Sequence, residues 1–464
     1  MKTLSKLISI LFLGISIIFL LYTLYRSELI HQETRFDYYL KYYLFGIFLI
    51  ILSIISFFID KEMKIDTCII LFSSMLGLYV VEGYFFLNSA HYQVLKSDIK
   101  FDVRTKLEIY QDLKKNDTNM VISVSPDHYL NEKKQSIFPL SGISKKKTIF
   151  CNENGYYSIY QSDRYGFNNP DNVWDKKKND FLLLGDSFVN GACVNEPDTI
   201  SGNLRKLIQS ANIINIGYSG NGPYREYATL REYLPLTNSK KVLWFYFEGN
   251  DLTDLIEELN NNILLKYLED RNFNQNLKLR QDELDIKIYA KMQKNFKKAL
   301  EEENSKKRIF NFHIPKSLEL NILIFQNFYK LYNVRRLLRD TFSFKSEVKI
   351  NSQNINPKFK KILKLAKEFA ERGGSSFYFI YLPEFARYSS FDKGRNKSNK
   401  FNNFRYKTII QIVNDLEIPI IDIHKEVFIT HKDPLSLFPF RSPHHYNELA
   451  YKLISELISK KIME

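Results

Sequence analysis

Asp180-Phe181-Leu182-Leu183-Leu184-Gly185-Asp186-Ser187-Phe188-Val189-Asn190-Gly191 carries an apolar run straight into Gly-Asp-Ser. A short continuous apolar run reads as a parallel strand covered on both faces. The turn behind it leads into a helix. Open parallel sheets bind their ligands beyond the carboxyl ends of the strands. Ser187 is therefore the candidate nucleophile.

Four more apolar runs follow: Ile213–Ile216, Val242–Phe247, Ser376–Leu382 and Ile418–Ile423. Helical patterns such as Asp198–Ser210 and Arg225–Leu234 separate them. The alternation predicts an α/β domain over 180–464: a three-layer, doubly wound, parallel five-stranded sheet. Between the third and fourth runs lies an insert, about 252–356, dense in Lys, Glu, Leu and Asn. Lys291–Glu303 and Leu318–Leu338 within it read as amphipathic helices. The insert is open to three readings: a cap on the active-site edge, a solvated outgrowth, or a docking surface for an envelope-assembly partner.

The first 91 residues read as a membrane region. Leu7–Tyr25 is 19 residues without a charge, Tyr42–Ile59 is 18 more, and Thr67–Leu87 is 21 with one charge, Glu82. Each approaches the length of about 20 apolar residues that a spanning helix needs. No small-x-small cleavage site follows the first, so it reads as an anchor rather than a removable signal. Lys2 and Lys6 favour a cytoplasmic N-terminus; Arg26 and Arg35 in the first loop reduce the asymmetry. Three spans then place everything after about residue 90 outside the cytoplasm. Glu82 has two readings, a functional intramembrane acid or a side chain near a helix end reaching toward the headgroups.

The formal net charge of +14 over 464 residues could indicate nucleic acid. The lysines are scattered, however, and no basic helix with interleaved aromatics stands out, so no nucleic-acid partner is expected. No zinc spacing or nucleotide loop occurs, and no cofactor or metal is expected. Of the three cysteines, Cys151 and Cys193 fall in the exported part. An oxidising compartment permits a disulfide between them, which would tie the segment before the first strand to the nucleophile loop. Two unpaired thiols are the alternative. Residues 92–179 read as a linker and N-terminal extension packed on the catalytic domain. Within it, the aromatic-rich stretch 156–169 is read as a strand and turn packed on that domain rather than as the lining of a substrate groove.

A serine hydroxyl needs a base and oxyanion donors to act as a nucleophile. The second run ends in Asn215-Ile216-Gly217, the third in Gly249-Asn250-Asp251, and near the C-terminus stands Ser442-Pro443-His444-His445-Tyr446-Asn447-Glu448. Glycine lets backbone approach a ligand. An Asn side chain can donate to an oxyanion. A loop histidine before a helix suits a general base.

Taken with Gly185-Asp186-Ser187, these blocks resemble the SGNH/GDSL hydrolase superfamily in kind, order and position, over about residues 180–456. The resemblance implies a flavodoxin-like sheet and an ester hydrolase or O-acyltransferase working through an acyl-serine. Carried over by position, Ser187 is the nucleophile and His445 the base, with His444 as runner-up. The Ser187 and Gly217 N–H groups with the Asn250 side chain form the oxyanion site. The family's usual acid, three residues before the histidine, is here Ser442. A Ser–His dyad, a backbone carbonyl or another carboxylate remains, with Asp433 the first candidate. Together with the topology, the resemblance implies an acylated envelope carbohydrate or lipid as substrate. The alternative is a catalytically inactive glycan-binding or assembly module.

Overall fold

In the computed structural model, the described residues are 2–30, 36–87, 101–132, 135–176, 179–309, 325–342, 355–389 and 396–463. They divide into two compact units, Met1–Leu87 with Gln326–Ser343, and Asn88–Phe325 with Phe344–Glu464.

The first unit contains α1 (Lys2–Leu24), α2 (Phe36–Ser56) and α3 (Lys61–Leu87). All three are long and apolar enough to cross a membrane. Small hydroxyl residues line their contacts. Ser16 and Ser53 share a hydrogen bond of 2.9 Å, and Ser9 donates to the Ser56 carbonyl at 3.2 Å. Lys64 Nζ donates to Ser5 Oγ at 3.0 Å, so α1 and α3 begin at the same end of the bundle. Small polar side chains let helix backbones approach closely and hydrogen-bond across the seam.

The second unit opens with α4 (Lys106–Lys114) and a small sheet of β1 (Met120–Ile122), β2 (Lys147–Ile149) and β3 (Ile159–Gln161) in the order 1-2-3. The main sheet follows: β4 (Asn179–Leu184), β5 (Ile213–Asn215), β6 (Ser239–Phe247), β7 (Ser376–Leu382) and β8 (Ile420–Asp422). All pairs are parallel and the spatial order is β5-β4-β6-β7-β8. This is the flavodoxin-like order 2-1-3-4-5, with its switch point beside the first strand. Leu182 faces Val242 in the β4–β6 register and Val242 faces Phe377 in the β6–β7 register.

Alternation along the strands creates a core on each face. Leu182, Leu184, Ile214, Trp244 and Phe379 join the aromatic side chains of α7 (Pro223–Tyr233) and the α12 helix (Pro357–Arg372). Phe181, Leu183, Leu243 and Ile380 meet α6 (Ile200–Leu207) and the C-terminal helix α14 (Glu448–Met463). The three-layer expectation holds, with strand ends displaced by at most a few residues.

The insert does not behave as one body. Its first part, α8 (Asp251–Glu258), α9 (Asn262–Glu269) and α10 (Gln281–Ile309), sends Leu255, Leu264, Tyr267, Leu284 and Met292 into the core of the second unit. Its last described part, a helical turn at 325–329 and then α11 (Tyr332–Phe342), falls largely in the unit of the apolar helices. Residues 318–324 of the expected second amphipathic helix lie outside the described residues. So do 92–100, 133–134 and 177–178 of the N-terminal extension, and 390–395, which precede α13 (Asn396–Asp415).

The aromatic stretch 156–169 packs against the edge of the main sheet. Asn169 Nδ2 donates to the Asn215 carbonyl at 2.7 Å while its Oδ1 accepts from Asn215 N at 2.9 Å. It thereby satisfies the edge of β5 as a further strand would. Asp163 is the hub of the turn, accepting from Asn169 Nδ2 and Trp174 Nε1, each at 2.8 Å.

Candidate active site

The chain leaves β4 through Gly185 and Asp186 and starts a short helix, α5 (Ser187–Asn190). Asp186 caps it, accepting from Phe188 N at 2.9 Å. A Cβ on Gly185 would meet Val189 Cγ2 at 2.5 Å, so this turn requires a residue without one. Ser187 occupies the first helical position, where a backbone N–H has no intrahelical partner. The side chain is held at the strand end with 8% of the residue exposed.

His445 lies in the turn before α14. Its Nε2 is 2.9 Å from Ser187 Oγ. Its Nδ1 is 3.0 Å from both carboxyl oxygens of Glu153, and its backbone N–H donates to Glu153 Oε2 at 2.7 Å. A carboxylate at Nδ1 fixes the proton there and leaves Nε2 as acceptor, the tautomer a general base requires. The Phe188 ring, 4.8 Å from the imidazole centroid, walls one side. Burial pushes the Glu153 carboxyl up, but the hydrogen bond and charge of His445, with His444 adding, outweigh it and hold it below its ordinary value.

Asp433, the expected acid, is not beside the histidine. It is half-exposed and ion-paired with Arg441, whose hydrogen bond lowers its pKa. The acid position is filled by Glu153, from the loop between β2 and β3. His444, the runner-up base, places its Nδ1 3.9 Å from Glu153 Oε1, while His445 holds the shorter contacts to both Glu153 and Ser187.

Cys151 and Cys193 form a disulfide. Asn154 Nδ2 donates to the Cys193 carbonyl at 3.0 Å, and Tyr156 Oη donates to Glu448 Oε1 at 2.6 Å. The acid loop is thus fastened on one side to the nucleophile loop and on the other to the start of α14. The sequence contained a signal for Glu153. A bridge to Cys193, six residues after Ser187, carries the neighbourhood of Cys151 to the nucleophile.

Gly217 is the second departure. Its N–H donates to Asn215 Oδ1 at 2.8 Å and is not free for an oxyanion. Its role is steric, because a Cβ there would meet Val189 Cβ and Cγ1 at 2.5 Å. Gly220 has φ +85°, and its N–H takes no hydrogen bond among the described residues. Asn250 occupies the N-cap position of α8 without a side-chain capping bond, and its Nδ2 donates to Asp254 Oδ2 at 2.8 Å, which leaves one amide hydrogen.

Several carboxyls lie buried around these strand ends. Burial raises Asp186 to about 6 and Asp254 to about 8. It also raises Glu226 and Asp251 well above their ordinary values, with Asp186 among the charges that add to the rise in both. Glu153, Cys193 and His445 offer ligand-type atoms within 4.8 Å of one another. The Cys193 sulfur is tied in the disulfide, and both imidazole nitrogens are engaged, so this group does not suit a metal.

No protein-family model matches the sequence, and neither does any curated protein. Solved structures that it matches include a lipase/acylhydrolase from Enterococcus faecalis, at 12% identity and TM-score 0.33, covering 61% of this chain and 95% of that one. The acetyl xylan esterase AlAXEase matches at 9% identity and TM-score 0.33, over 61% of this chain and 99% of its own. Esterase EstA from Pseudoalteromonas matches at 11% and 0.28, over 62% and 97%.

Proposed function

We propose that this chain is a membrane-anchored serine ester hydrolase or O-acyltransferase of the SGNH type. Its three apolar helices cross the membrane, and the hydrolase unit lies outside the cytoplasm. The substrate is an acylated envelope carbohydrate or lipid. The observation that carries the reading is the continuous relay Ser187–His445–Glu153 at a parallel-sheet edge. A missing acid would have favoured a binding module; Glu153 removes that motive.

In this reaction Ser187 Oγ attacks an ester carbonyl as its proton passes to His445 Nε2. Glu153 stabilises the imidazolium that forms. The oxyanion receives hydrogen bonds from Ser187 N–H, Gly220 N–H and the remaining Asn250 amide hydrogen; one such donor is worth ~10²–10³ in rate. The tetrahedral intermediate collapses, the ester C–O bond breaks, and His445 returns the proton to the departing alcohol. Water, or a sugar hydroxyl, then attacks the acyl-serine by the same steps in reverse.

The test is acetate release from O-acetylated polysaccharide, followed with and without an unacetylated acceptor glycan. Release that disappears in Ser187→Ala supports the hydrolase, and acetyl on the acceptor supports the transferase. Turnover unchanged in Ser187→Ala would sink both.

A further inference from the structure

Glu82 lies five residues before the end of α3 and is completely buried. Its carboxyl group is capped by the insert. Oε1 accepts from Asn333 N at 3.1 Å and Asn333 Nδ2 at 2.9 Å, and Oε2 accepts from Val334 N at 2.8 Å. These N–H groups form the first turn of α11, where the helix dipole favours an acid. An acid in an apolar helix is costly without partners, and α11 supplies three donors at once. The neighbouring turn adds contacts to α3. Tyr79 Oη donates to the Tyr329 carbonyl at 2.9 Å, and the Phe328 ring lies 5.9 Å from that of Tyr79 and 5.6 Å from that of Phe86.

Other side chains of this segment stand partly open on its outer face. Tyr329 is 68% exposed, and Tyr332 and Leu338 are each 45% exposed. α3 itself exposes Val80, Tyr84 and Leu87 near the same end. Aromatic side chains of this amphipathic kind favour the zone between acyl chains and headgroups. Arg335 is exposed on the same helix and carries the charge that lipid phosphates attract.

We propose that segment 326–342 is a second membrane attachment. The insert of the hydrolase unit returns to the bilayer, inserts Tyr329, Tyr332 and Leu338 at the lipid interface, and is latched there by Glu82. The partner is the lipid surface continuous with that of α3. This rests on the reading that α1–α3 span the membrane.

The test uses the full chain in native membranes, with a protease site introduced within 88–100. Uncut protein must sediment with the membranes; if it does not, the spanning reading fails, and this one with it. After cleavage, the C-terminal fragment should remain in the pellet. A Glu82→Ala, Tyr329→Ser, Tyr332→Ser variant should release it at least fivefold more. Quantitative release of the unsubstituted fragment would overturn the proposal. So would equal retention of fragment and variant. Because the variant alters the membrane unit, a Tyr332→Trp chain supplies an independent reading. Brominated lipid should quench its fluorescence beyond that of the parent chain, and unchanged quenching would again overturn it.

Discussion

Glu153→Gln isolates the residue that makes the relay complete. The substitution keeps the size of the side chain and an oxygen that can accept from Nδ1–H, and it removes the charge. At the observed N···O separation of 3.0 Å, a carboxylate and an imidazolium attract by about 5 kcal/mol at an effective dielectric near 20, and by about half that at 40. Glu153 has 20% of its side chain exposed, which places it between these limits. At 1.36 kcal/mol per tenfold in rate, the span is about two to four decades. The surviving hydrogen bond offsets part of it, so a fall of ~10²–10³ in acylation rate is expected. The assay is stopped-flow acylation by p-nitrophenyl acetate on the full chain in detergent, read from the burst. Asp433→Asn serves as the comparison and should acylate at the parent rate, because its partner is Arg441. The reasoning is refuted if Glu153→Gln stays within threefold of the parent, or if Asp433→Asn is slowed as much.

Replacing Cys151 and Cys193 with Ala should cost on the order of 4 kcal/mol for a bridge between residues 42 apart. It should also lower kcat more than KM, because Glu153 loses its tether; denaturant unfolding and steady-state kinetics check both. Gly217→Ala should destabilise by about 1–3 kcal/mol by forcing a methyl against Val189, and it should slow serine acylation; a parent-like urea midpoint would contradict this. Asp186→Asn preserves the helix cap and removes a carboxyl raised to about 6 by burial. The stability of the parent tied to the protonated group is complete below pH 4 and is lost as pH rises through about 6. At pH 7 the variant should therefore be more stable, by up to about 3 kcal/mol. The two should converge at pH 4, as thermal midpoints across pH 4–7 would show.

The sheet was legible because its strands are buried on both faces. Phe181–Leu184 and Ser376–Leu382 have no polar face to confuse with an amphipathic helix, and the intervening helices pointed to parallel pairing; the strand order was implied by the resemblance alone. Ser187 and His445 could be placed because each directly adjoins a recognisable element. Glu153 could not be placed by local pattern, because it reaches the histidine across 292 positions of sequence through a loop of the small sheet. Only the Cys151–Cys193 bridge foretells that approach. Gly217 misled for a related reason. A glycine at a strand end offers an N–H, but the Asn215 side chain, two residues away, claims it. The division of the insert depends on Glu82, whose donors lie about 250 residues downstream. Periodicity reports that a helix exists and is silent about which unit it joins.

The central claim is that Ser187 is an activated nucleophile. Intact-protein mass spectrometry after treatment with a small fluorophosphonate tests it most directly. The account predicts one adduct on the parent chain, none on Ser187→Ala, and strong slowing in His445→Ala. A folded parent chain that gains no adduct, or an adduct that persists in Ser187→Ala, would contradict it.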